Sequence, residues 1–186
     1  MLEVGDPRLR RPAVAVNEAT LADSSTQEVI DDLVATMRLA HGAGLAATQI
    51  GVGLRICVIE VDNNPRYPYK PAIPLTILVN PVVTFLTDER FENNEGCLSV
   101  PGLRGNVLRS TEIRVTAIDR LGTPLDFEVR GLSAGTFQHE CDHLDGILFV
   151  DRVTSPDTLT TWDNFERYHR PAYLERVARL VERYGQ

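Results

Sequence analysis

The chain has 186 residues, 43% hydrophobic and 24% charged, the balance of a folded globule rather than a disordered or fibrous chain. That length can bury a real core and is predicted to form one domain over residues 1–186, with residues 150–186 as a C-terminal extension. A net charge of −7 argues against general binding to nucleic acid, DNA included, and no apolar run is long enough to span a bilayer. The N-terminus lacks the apolar stretch of a secretory signal, being interrupted by Asp6, Arg8, Arg10 and Arg11. Three cysteines, few and odd in number, point to a reducing compartment rather than a disulfide framework.

In chain order, Gly5-Asp6-Pro7 and Arg11-Pro12 predict an extended, turn-rich arm. Ser25 and Glu28 have capping-box spacing, so they predict the start of a helix, and Val29, Ile30, Leu33, Val34, Met37 and Ala40 supply its buried face. This helix should stop near Gly42. The stretch Gly42-Ala43-Gly44-Leu45-Ala46-Ala47-Thr48-Gln49 is small-residue backbone ending in an amide that can donate to an oxygen. Residues 54–61 read as a buried strand, which makes Cys57 a core residue. Residues 63–74 form a loop rich in Pro and Tyr. Residues 77–85 return as a strand in which Pro81 implies an edge position or a bulge.

A polar stretch over 87–94 leads into Glu95-Gly96-Cys97-Leu98-Ser99-Val100-Pro101. Residues 113–118 alternate apolar and polar, Asp119-Arg120-Leu121-Gly122 makes a turn, and Leu125, Phe127 and Val129 continue on a partner strand. Ser155-Pro156-Asp157 is a further turn, and Pro171 opens a last helix with Leu174, Val177, Val181 and Tyr184 on one face. The fold class is α+β: antiparallel strands packed around a central helix, with one helix near each terminus.

That central helix is predicted around Gln138-His139-Glu140-Cys141-Asp142-His143-Leu144, with Ser133 as its cap and Gly146 as its stop. His139 and His143 are four positions apart, so on a helix both imidazoles can meet one metal ion. Glu140 is placed to act as general base toward water at that ion. A charged surface helix with an accidental match is the bland alternative. The third ligand is not a later His, because Phe149 occupies the position that pattern would need. Glu166 would complete the His₂Glu set of a thermolysin-like zinc endopeptidase. Cys57 lies in an apolar strand, and Cys141, two residues after His139, points away from the pair. Cys97 remains, and a Cys-His₂ set leaves one position open, as catalytic sites do. A non-catalytic metal-binding module would leave that open position and Glu140 without a use. The ligand set by itself suggests zinc.

The stretches Gly42 to Gln49, Glu95 to Ser99 and Gln138 to Leu144 resemble, in order, the three signature motifs of the peptide deformylases. The resemblance implies a cytoplasmic, metal-dependent hydrolase that removes the formyl group from the initiator methionine of new bacterial or organellar proteins. Carried onto this sequence, it makes Cys97, His139 and His143 the metal ligands and Glu140 the general acid/base. Gln49 and the backbone N–H of Leu98 become the oxyanion donors. It also implies ferrous iron in cells, with zinc, nickel or cobalt as replacements. The backbone at Ala43 and Gly44 would pair with an N-formylmethionyl peptide, whose methionine enters an apolar pocket near the start of the metal helix. The last helix is expected chiefly to cover the protein's own core. Arg176, Arg179 and Arg183 share one face of it and raise the alternative of a ribosome contact.

Overall fold

The computed structural model describes residues 1–185. Its elements follow from where the apolar residues fall. Asn17 caps a short helix, α1 (Glu18–Ala22), and Asp23 caps α2 (Ser24–Leu39) by accepting from the Ser25 N–H at 2.8 Å. The cap is therefore two residues earlier than expected, and Ser25 lies inside the first turn, its hydroxyl held 2.7 Å from the same Asp23 oxygen. Ile30, Leu33 and Met37 form the buried face of α2, while Ala40 ends the helix half-exposed. The left-handed residue that breaks it is His41, at φ 51°, rather than Gly42.

A five-stranded antiparallel sheet follows, in the order β1 (Gly44–Ala46), β2 (Ile56–Val61), β3 (Ile73–Phe85), β6 (Glu112–Ile118), β7 (Pro124–Arg130). The Pro81 expectation splits: β3 is the central strand and not an edge, but its register does shift between Val79 and Val82. Asn80 sits at φ 52° in that bulge, and its amide pairs with the backbone of Val16 at 2.7 and 2.8 Å, replacing the ladder that Pro81 interrupts. The β6–β7 hairpin is as predicted, with the Asp119 carboxylate accepting from the N–H groups of Leu121 and Thr123. A second sheet joins β4 (Arg90–Cys97), β5 (Val100–Ser110) and β8 (Thr160–Thr161).

Helix α3 (Gly131–Leu144) carries the HExxH stretch, and every residue of it except His139 is buried. The surface-helix alternative is excluded. Ser133 does not cap it: the helix begins at Gly131, whose N–H donates to the Thr111 carbonyl at 2.8 Å, and Arg130 holds the cap position without a side-chain bond. The C-terminal end is as expected, with Gly146 at φ 74°. A Cβ there would come within 2.7 Å of the Arg10 backbone, because the N-terminal arm crosses the helix end and Ala13 donates to the Leu144 carbonyl.

Ala134, Phe137 and Leu144 of α3 pack with Cys57, Leu78, Ile113 and Val115 of the larger sheet. On its other side Leu132 packs with Phe165, Tyr173 and Val177. These belong to the C-terminal segment, which runs through a short turn α4 (Trp162–Asn164) and a π-helical turn (Phe165–His169) into α5 (Arg170–Tyr184). Pro171 occupies the first turn of α5, and Leu174 and Val181 are half-buried beside Val177, so this helix covers the protein's own core. Arg176 pairs with Glu92 at 3.2 Å and Arg183 with Glu89 at 2.6 Å, both on or beside β4.

Candidate active site

Three separated stretches meet on one side of α3. Cys97 ends β4, where the pairing with β5 shifts register and turns its thiol inward. The Cys97 sulfur is 3.3 Å from His143 Nε2, and the donor atoms of Cys97, His139 and His143 all lie within 4.8 Å of one another. The i, i+4 spacing on a regular helix brings the two rings to 4.9 Å between centroids.

The surroundings fix these donors. His139 Nδ1 lies 2.9 Å from Glu95 Oε2, which directs Nε2 toward the cluster. Arg109 holds the same carboxylate and also reaches Asp142 Oδ2 at 2.6 Å, where Arg152 adds a second, bidentate hold. Burial alone would raise the Glu95 carboxyl, but Arg109 and His139 outweigh it and hold that group well below the usual carboxylate range. The Ser99 N–H points at the Cys97 sulfur from 3.4 Å.

Gln49 stands on a 3₁₀ turn, Ala47–Ile50, directly after β1. Its Oε1 accepts from the Ala46 N–H at 2.8 Å, which leaves Nε2 facing the site, 3.0 Å from Ser99 Oγ and 3.6 Å from the Cys97 sulfur. Glu140 is buried against Gly44. A Cβ on Gly44 would fall 2.5 Å from Glu140 Cγ and Cδ, so only glycine admits the carboxylate here. Burial pushes the Glu140 carboxyl up to about 7, against the pull of His139 and Lys70.

Ala43, Leu98 and Gly44 line the same cleft. Cys57 is buried in β2 as expected, and Cys141 faces it from α3, away from the His pair; their mutual contact raises the Cys57 thiol first, then burial. Glu166 is not brought to the site. It is exposed on the π-helical turn and pairs with Arg170 at 3.2 Å, which removes the thermolysin-like arrangement.

Several lining residues were not legible beforehand. Loop 63–72 folds over the cleft and contributes Tyr67, Tyr69 and Lys70; Asn93, Asn94, Arg104, Gly135 and Thr136 complete the wall. The pocket at the start of α3 is accordingly mixed rather than apolar. The cluster suits a metal: one thiol and two imidazoles converge, and Glu140 Oε2 is buried beside them without a hydrogen-bond partner among the described residues.

A soft donor, two imidazoles and a carboxylate on the same helix are the equipment of a metal-dependent hydrolase. The polypeptide deformylase profile matches residues 1–158. Similar curated proteins include a peptide deformylase 1 of Nitrosomonas europaea, 44% identical over 153 residues (82% of this chain and 86% of that one). A peptide deformylase 1 of Bordetella pertussis is 46% identical with the same coverage of each. Among solved structures, the class I type b peptide deformylase of Acinetobacter baumannii with Met-Ala-Ser bound superposes with a TM-score of 0.78 at 34% identity, covering 82% of this chain and 96% of that one. The actinonin complex of the Synechococcus elongatus enzyme gives 0.74 at 30% identity, covering all of this chain and 85% of that one. The chain belongs to the polypeptide deformylase family.

Proposed function

We infer that this chain is a metal-dependent peptide deformylase that removes the N-formyl group from the initiator methionine of newly made proteins and releases formate. The observation that carries the site assignment is the convergence of Cys97, His139 and His143 beside the unpartnered Glu140 oxygen. In this reading those three residues hold one divalent metal, ferrous iron in cells, with zinc, nickel or cobalt as replacements. When bound, the metal acidifies water and polarises the formyl carbonyl.

The protein's own groups do the rest. Glu140 accepts the proton of the attacking water, then delivers it to the amine nitrogen as the C–N bond breaks. Gln49 Nε2 and the Leu98 N–H donate to the oxygen that gains charge on attack. β1 is an edge strand, paired with β2 on one side alone. Its free edge, with Ala43 and Gly44, suits an extended peptide that adds as one more strand. The Acinetobacter baumannii structure with Met-Ala-Ser supports a peptide ligand of that kind.

Residues 1–185 are read as one catalytic domain, since Leu132 of α3 shares a cluster with Phe165, Tyr173 and Val177 of the C-terminal segment. No helix among the described residues is long and apolar enough to cross a membrane, and a cytoplasmic location is proposed. Ribosome contact through Arg176, Arg179 and Arg183 is a weaker reading, because Arg176 and Arg183 already pair with Glu92 and Glu89. Replacing the three with Glu and measuring co-sedimentation at low salt tests it; unchanged co-sedimentation ends it. For the activity itself, the test is formate release from formyl-Met-Ala-Ser by anaerobically purified, iron-loaded protein. Absence of formate would overturn the assignment.

A further inference from the structure

Two cations line the cleft without an acidic partner. Lys70, carried in by the folded loop, donates from Nζ to Thr136 Oγ1 at 2.9 Å and lies 4.9 Å from the centre of the Tyr67 ring. An ammonium has three donors, and Thr136 takes one. No carboxylate among the described residues comes within ion-pair distance of it. Burial lowers this ammonium to about 8, so it is mostly charged at neutral pH.

Arg104 is the second cation. Its guanidinium is stacked between Trp162 and Phe165, 4.1 and 4.4 Å from the ring centres. Nε and Nη2 donate to Asn94 Oδ1 and O at 2.6 and 2.7 Å, while buried Nη1 has no partner among the described residues. Most of the other polar groups in this wall are already engaged. Asn93 bonds Glu95 and Tyr173, and Asn94 bonds Arg104 and Asn106. The donors left over belong to Arg104, whose buried Nη1 calls for an acceptor, and to the half-buried Lys70 ammonium, which has two donors beyond the one Thr136 takes.

The position of Lys70 says which part of a ligand would supply one. Thr136 is one helical turn before Glu140 and on the same face, so the ammonium stands in the cleft wall near Glu140, where the deformylase reading puts the first side chain of a formyl peptide. A thioether is a weak acceptor, whereas a sulfoxide or carboxylate oxygen is a strong one. We propose that Lys70 is a specificity-determining residue: beside methionine, the pocket takes a first residue whose side chain ends in an electron-rich oxygen, as in methionine sulfoxide or glutamate. This inference rests on the deformylase reading of the same site.

The test compares metal-loaded wild type with Lys70→Met on four peptides, formyl-X-Ala-Ser with X as methionine, norleucine, methionine sulfoxide or glutamate. In wild type, kcat/KM for the oxygen-bearing peptides relative to norleucine is expected to exceed that of Lys70→Met by about tenfold, the value of one charge-assisted hydrogen bond. Lys70→Arg should restore much of the ratio. A loss confined to the glutamyl peptide assigns a carboxylate, one confined to the sulfoxide assigns oxidised methionine, and both support the proposal. Equal losses on all four peptides, or an unchanged ratio, overturn it. Should Lys70→Met not fold, Lys70→Gln keeps a donor for Thr136 without the charge and carries the same comparison. Failure of wild type to release formate from any peptide would instead overturn the deformylase reading.

Discussion

Arg109 grips Glu95 through two parallel hydrogen bonds, Nε to Oε1 at 2.7 Å and Nη2 to Oε2 at 2.8 Å, with both side chains buried. Removing one member leaves the other charged in the interior, so Arg109→Met should cost about 3–5 kcal/mol. For a chain of this size that is about 2–4 °C of melting temperature per kcal/mol. The pH dependence has a definite sign. Glu95 is held below its unfolded value, so its contribution is complete above about pH 4.3 and drains away as pH falls further. Thermal melts from neutral to acid pH should show a steeper acid limb in wild type than in Glu95→Gln. Parallel curves would contradict this account of the pair.

Glu140→Ala should keep the fold and the metal while kcat falls by about 10²–10⁴, the range for a lost general acid/base. Metal analysis beside formate release checks it. Turnover like wild type would remove Glu140 from the reaction.

The close approach of Gly44 to Glu140 gives an independent check. Gly44→Ala would place a Cβ 2.5 Å from the carboxylate stem, and so should displace Glu140 without touching the metal donors. Activity should drop nearly as far as in Glu140→Ala, with metal content intact. A crystal structure of the variant would show the carboxylate moved; an unmoved, active Glu140 would refute the argument.

Cys97→Ala should abolish tight metal binding, whereas Cys57→Ala and Cys141→Ala should retain it, since those two thiols face each other on the far side of α3. Metal stoichiometry after dialysis decides. Release of metal by Cys141→Ala would mean that the ligand set is wrong.

Gln49→Leu should lower kcat far more than it raises KM, because its amide is proposed to meet an oxyanion that exists only after attack. The structure adds a second effect. The Ala46 N–H and Ser99 hydroxyl both lose their Gln49 partner, at about 1–3 kcal/mol for buried groups left unsatisfied. A change confined to KM would make Gln49 a plain binding residue.

The convergence of Cys97, His139 and His143 was legible because each carries a local signal. His139 and His143 have the spacing of one helix face, and Cys97 differs from Cys57 by its polar, glycine-flanked approach. β4 was not, because Asn93, Asn94 and Glu95 are consecutive and all buried. The site and its ion pairs absorb polar groups on both faces, which erases the alternation that marks a strand. Tyr67 and Tyr69 in a proline-rich loop, and Tyr173 whose hydroxyl meets Asn93 at 2.9 Å, depend on contacts across large stretches of chain that periodicity cannot reveal. The capping errors at Ser25 and Ser133 have the opposite cause. A serine near a helix start is a fair local signal, but Asp23 and the Thr111 carbonyl were better placed.

Thr48 Oγ1 donates to the carbonyl of His143 at 3.2 Å, across 95 positions of sequence. That bond spans nearly the whole interval over which the centre is assembled, with Cys97 arriving from between. During synthesis, residues 42–49 and the hairpin bearing Cys97 leave the ribosome well before α3 does, and a chain emerges and folds N-terminal portion first. No early fragment holds a working centre. A growing copy is therefore inert until α3 has emerged and closed the gap between residues 42–49 and Cys97, and the segment that packs on Leu132 and stacks on Arg104 arrives later still.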